Sequence, residues 1–159
     1  MEAINNANIM TKLFLNFILV LLLLVGSFFI FQVLPKSIQV DNNLKEITVG
    51  QTKFKVEIAN TPSLQVRGLS GHKALLENEG MLFVFDKPIT PGFWMKDMNF
   101  SLDIIWISSG KVVDVLENLS PDDSPNRKIY YPSQLVDNVL EVASGTILKN
   151  NIKIGDDIK

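Results

Sequence analysis

Cysteine is absent from this 159-residue chain. That excludes disulfide staples, thiolate nucleophiles, lipidation on Cys, Cys-type zinc sites and iron–sulfur clusters. Histidine occurs once, as His72, so a His-rich metal site or a Ser-His relay has only that residue to draw on. A surplus of one charge is missing too. Fifteen basic and 17 acidic side chains are interspersed to a formal charge of −2, which gives no basic footprint for nucleic acid. No internal repeat, low-complexity segment or motif with a mechanism attached is visible. The chemistry that remains is that of carboxylates, lysines and hydroxyls.

What is present has a globular balance, 47% apolar and 20% charged, with room for one domain and an appendage. The appendage is the run from Leu13 to Leu34, apolar but for Asn16, Gly26, Ser27 and Gln32. As a helix it would rise about 33 Å, enough to cross a bilayer core. A core helix is the alternative, but the remaining residues form too small a domain to bury it on all sides. The run exceeds the length of a signal h-region, and Gln32-Val33-Leu34-Pro35-Lys36 lacks the small residues of a cleavage site. The sequence therefore predicts a short head over 1–12, an uncleaved transmembrane anchor over 13–34 and a polar tether over 35–45. Residues 46–159 form the domain. Lys12 and Lys36 flank the span on both sides, so the positive-inside rule discriminates little. The short head favours an extracytoplasmic domain at the cell membrane.

Within the domain, strand signals dominate. Phe54, Val56 and Ile58 alternate with Lys55 and Glu57, the pattern of a half-buried strand. Thr61-Pro62 opens a short helix that stops at Gly68. Three apolar, aromatic-rich runs follow: Met81–Phe85, Phe93–Met98 and Leu102–Ser108. Pro88 and Pro91 are expected to end the first of them. Ser109-Gly110 links a hairpin into Lys111–Leu116. Residues 118–133 read as a long loop with Tyr130 and Tyr131 pinning it. Val139–Ala143 is a strand, Thr146–Lys149 a short helix ended by Asn150-Asn151, and Ile152–Asp156 a closing strand. Seven or eight short strands with two short helices predict a mainly β domain, a sandwich or flattened barrel.

Several of these segments, in order, resemble one family. They are Ile58-Ala59-Asn60-Thr61-Pro62, Arg67-Gly68-Leu69, Glu79–Phe85, Phe93-Trp94-Met95-Lys96-Asp97-Met98, Leu102-Asp103-Ile104, Val139-Leu140-Glu141-Val142 and Ile152–Asp156. Together they are similar to the bacterial and archaeal family called domain of unknown function 192, over roughly Lys45 to Lys159. The resemblance implies a mainly β, jelly-roll-like sandwich. It implies no settled activity and no cofactor. Ser101 departs from the proline that many members carry there.

The candidate site residues each have a structural alternative. Arg67 either binds an anionic ligand bidentately or ties the helix end to a carboxylate such as Glu79 or Asp103; the second is favoured. Trp94 and Lys96 share a strand face, an indole platform and a cation suited to a sugar or anionic polymer. Otherwise Trp94 is core and Lys96 snorkels past it. Asp103 and Glu141 interrupt apolar strands, and a buried carboxylate needs a partner. As a pair they are candidate acid/base groups; a structural ion pair is the favoured alternative. Tyr131 joins the ligand-binding candidates from the long loop. His72 and the loop carboxylates Asp122, Asp123, Asp156 and Asp157 match no metal-site spacing, so no metal is expected.

The leading expectation is a membrane-anchored envelope module that binds a ligand or partner, an envelope polysaccharide or a membrane protein, in a groove around Trp94, Lys96 and the 118–133 loop. The alternative is an envelope hydrolase using Asp103 and Glu141.

Overall fold

A computed structural model describes residues 44–159, together with Leu15, Asn16 and Ile18, which are helical. Apart from those three positions, the predicted span over 13–34 lies outside the described residues. Among the described residues no helix is long and apolar enough to cross a membrane.

The elements run β1 (Leu44–Val49), β2 (Thr52–Ala59), α1 (Pro62–Arg67), β3 (Glu79–Ile89), β4 (Leu102–Ser108), β5 (Lys111–Leu119), β6 (Val136–Ala143) and α2 (Thr146–Asn150). Their six strands form one sheet, ordered β1-β2-β3-β6-β4-β5. The pairing of β2 with β3 is parallel and every other strand pair is antiparallel. Helix α1 lies in the β2–β3 connection, the crossover that parallel neighbours require.

The domain is thus mainly β with two short helices, but the sheet does not close into a barrel. The C-terminal segment bonds instead to both outer strands. Lys159 exchanges backbone hydrogen bonds with Thr48 of β1 at 2.7 and 2.9 Å, and Val112 N of β5 donates to Asp156 O at 2.9 Å. The expected strand over 152–156 is in fact this strap, with isolated bridges only at Asp157 and Ile158.

Two further expectations give way to the structure. The run Phe93–Met98 is not a strand; a single bridge joins Phe93 to Tyr130. Its inside-outside alternation persists nonetheless, with Phe93 and Met95 buried and Trp94 and Lys96 exposed. Strand β3 continues through Pro88 to Ile89, beyond the strand end expected at the prolines. It does so because the β3–β6 register shifts between Val84 and Ile89, so Pro88 falls in an irregularity that needs no ladder donor.

Both faces of the sheet carry a core. One holds Phe54, Val56, Ile105, Ile107, Leu140 and Val142, under α2 and the strap. The other holds Met81, Phe83, Phe93, Met95, Ile104, Trp106 and Val139. Phe93 packs edge-on against Phe83 at 4.8 Å and against Trp106 at 5.2 Å, a favoured aromatic geometry. The hairpin at Ser109-Gly110 forms as predicted, both residues having positive φ (51° and 72°), the signature of a type I′ turn. Thr61 caps α1 through its side chain, and Asn151 ends α2 in the left-handed conformation.

Candidate functional site

Register decides the fate of the carboxylate pair. Across β4 and β6, Ile104 lies opposite Glu141 and Asp103 opposite Val142. Neighbouring strand residues point to opposite faces, so Asp103 and Glu141 occupy different sides of the sheet. A cleft containing both does not exist, and the paired acid/base expectation is corrected on that ground.

Asp103 is fully buried with a structural task. Its Oδ1 accepts from Asn118 N at 2.9 Å and its Oδ2 from Ile147 N at 3.0 Å. The second bond satisfies a free amide in the first turn of α2, whose N-cap Gly145 supplies no side chain. The carboxylate therefore fixes that helix and the end of β5 to the sheet. Neither Arg67 nor Lys96 pairs with it.

Glu141 is different. It is 5% exposed and sits between Met81 of β3 and Ile104 of β4. Its Oε2 is buried and, among the described residues, has no hydrogen-bond partner. Burial alone pushes its carboxyl from 4.5 up to about 8, because an apolar surround disfavours the charged form. At neutral pH it is a carboxylic acid, able to donate as well as accept.

A cleft of about 40 Å³ opens over it, lined by Arg67, Gly68, Ser70, Phe83, Phe93, Trp94, Met98 and Glu141 among others. That volume holds roughly three waters. Beside it runs an apolar groove of about 190 Å³, lined by Pro62, Gln65, Val66, Phe83, Phe85, Pro91, Phe93 and Trp94. The two share Gln65, Val66, Phe83, Phe93 and Trp94. The α1 end forms the rim. Gly68 there takes φ 50°, ψ −139°, and an added Cβ would lie 3.4 Å from Phe83 and 4.0 Å from Glu141 Oε2. Glycine both permits the turn and leaves the cleft open.

Of the predicted ligand-binding residues, Arg67 and Trp94 meet at this cleft. Arg67 is exposed and, among the described residues, has no carboxylate within ion-pair distance, so the favoured tie to Glu79 or Asp103 is absent. Trp94 is 39% exposed. Lys96 faces elsewhere, 3.3 Å from Asp97, and lines neither space. Tyr131 is exposed and covers Gly92, where a Cβ would lie 3.0 Å from its ring, but it too stays outside the lining. The 118–133 loop contributes no lining residue either. It braces the cleft from behind: Tyr130 exchanges backbone bonds with Phe93 at 2.8 and 2.9 Å, and Asp123 accepts from Asp97 N at 2.8 Å.

The arrangement offers a neutral acid, a guanidinium and an aromatic wall. Ser70 already donates to Lys96 O at 3.1 Å, and among the described residues no second carboxylate lines the cleft with Glu141. Among the described residues no group of His, Asp and Glu is placed to hold a metal ion. His72 is placed against Leu69 O and Glu57 instead.

The family model DUF192, Uncharacterized ACR, matches residues 45–159. Crystal structures that resemble the domain include the following two. A Sinorhizobium meliloti 1021 protein, named as a candidate transcription regulator, is 28% identical with a TM-score of 0.67, over 72% of this chain and 91% of that one. A protein of unknown function from Novosphingobium aromaticivorans DSM 12444 is 29% identical with a TM-score of 0.68, over 73% and 84%. No curated protein matches.

Proposed function

The chain belongs to the DUF192 family, and on that premise we propose that it is a binding module whose ligand enters the cleft above Glu141. The observation that carries this is the buried Glu141 Oε2, which has no partner among the described residues, in a cleft whose rim holds Arg67, with no ion pair among those residues either. A buried polar atom left unsatisfied is unfavourable by about 1–3 kcal/mol. A ligand that supplies the missing bond recovers that energy on binding. The open aromatic face of Trp94 supplies contact area beside it.

Catalysis is not part of the reading. The hydrolase alternative works Asp103 and Glu141 as a pair, and the register turns Asp103 to the other face. One structural neighbour is named for transcription regulation, but for this chain a nucleic-acid partner has no basic surplus behind it at a formal charge of −2.

In this proposal residues 13–34 anchor the module in the cell membrane, 35–45 tether it, and the domain faces the envelope side. The long run, free of charged residues, supports the anchor. A C-terminal reporter active only in the cytoplasm would overturn the orientation.

The binding reading is tested by retention of the full-length protein on solubilised envelope material. Trp94→Ala and Arg67→Gln should lose retention while each variant still melts cooperatively. Undiminished retention of both variants contradicts it.

A further inference from the structure

The chemistry of the same cleft narrows what it takes. We infer that its ligand is a small carboxylic acid with an apolar body, the carboxylate held between Glu141 and Arg67 and the hydrocarbon lying along Val66, Phe85, Pro91 and Trp94. The inference rests on the binding reading and adds the ligand class.

Charge is the first argument. Glu141 and Arg67 are the two ionisable residues lining the cleft. Strands β3 and β4 present Met81, Phe83 and Ile104 to Glu141, and the 92–98 segment presents Phe93, Trp94 and Met98, none of them ionisable. With Glu141 protonated, the site carries one positive charge. One carboxylate neutralises it, whereas an ammonium group would meet an uncompensated guanidinium. The planar fork of Arg67 matches a carboxylate bidentately, and the Glu141 O–H donates to a ligand oxygen, so the missing bond is made.

Size and polarity supply the second argument. The 40 Å³ cleft admits a head group of a few atoms, and the 190 Å³ groove takes the body. That groove is apolar except for Gln65, whose Nε2 already donates to Val84 O at 2.8 Å and Ala59 O at 3.4 Å. A peptide lying there would strand its own amides, each at a desolvation penalty. A hydrocarbon body strands nothing.

The test uses the full-length chain in lipid nanodiscs, with hexanoate, hexylamine and hexanol as probes. The readout is the Trp94 indole N–H resonance, assigned with Trp94→Phe. Hexanoate should shift it saturably. Arg67→Gln should weaken that binding roughly tenfold or more, the size expected for a charge-assisted bond. Wild-type affinity should fall as pH rises above 8, while Glu141→Gln, which keeps a donor but cannot ionise, should hold a flat profile. Response to hexylamine or hexanol but not hexanoate overturns the carboxylate class, as does a flat wild-type profile. Trp94-dependent retention on envelope material without any hexanoate response overturns the class alone, whereas loss of both overturns the binding reading as well.

Discussion

Replacing Glu141 by Gln should change the pH dependence of stability in a way no surface carboxylate can imitate. In the folded chain burial holds the Glu141 carboxyl at about 8, against 4.5 when it is exposed. Between those values the native state keeps the proton and the unfolded chain has lost it. The unfolded state therefore binds fewer protons, and stability falls with rising pH by up to about 1.4 kcal/mol per unit. The contribution is fully present below pH 4.5, declines across the window and is gone above pH 8, for a total of about 5 kcal/mol. A single domain commonly has only about 5–15 kcal/mol to lose. Glutamine is nearly isosteric and does not titrate, so the variant lacks this term. Urea unfolding of both proteins from pH 5 to 9, followed by tryptophan fluorescence, gives the difference directly, and the other ionisable groups cancel in it. The variant should match the wild type within about 1 kcal/mol near pH 5 and exceed it by several at pH 9. Parallel curves for the two proteins would refute the buried neutral acid.

Other changes test the frame around the site. Asp103→Ala orphans the amides of Asn118 and Ile147 and should reduce unfolding free energy by about 2–5 kcal/mol; Asp103→Asn, which keeps one acceptor, should lose less in the same urea titration. Gly80→Ala would set a methyl 2.5 Å from the Glu141 carbonyl oxygen, forcing β3 from β6, and should lower stability by about 3 kcal/mol. Trp94→Ala, at a position 39% exposed, should lower unfolding free energy by about 2–3 kcal/mol in the same denaturation while the transition stays cooperative, so a loss of retention well below the melting temperature reports binding rather than folding.

Strand β2 was legible because its second face is exposed, so period-2 alternation survives there, whereas β4 is buried on both faces and reads as a continuous apolar run. Phe54-Lys55-Val56-Glu57-Ile58 and the Ser109-Gly110 turn each carry their own local cause. Local signals mislead at Phe93–Met98, whose alternation is that of a strand but which finds only the bridge to Tyr130. Pro88 misleads in the opposite direction, because the β3–β6 register shifts between Val84 and Ile89, at the proline itself, and so accommodates it. Asp103 and Glu141 stood out in sequence for the right reason, as carboxylates in apolar strands. Their relation is set by a one-residue register between strands about 35 residues apart in sequence, which determines the face each side chain occupies. The cleft was half visible. Arg67 and Trp94 line it, whereas Lys96 and Tyr131 turn out of it. Gly68 went unread as part of the site, although the Arg67-Gly68 pair at a helix end was its available signal.

The central claim is that the cleft over Glu141 is built to be filled. A crystal structure of the full-length chain grown with hexanoate tests it most directly. The account predicts the acid's carboxylate within hydrogen-bond distance of both the Glu141 carboxyl and the Arg67 guanidinium, with its chain against Trp94. Hexanoate bound elsewhere, over a cleft that Arg67 has folded into to pair with Glu141, would contradict it.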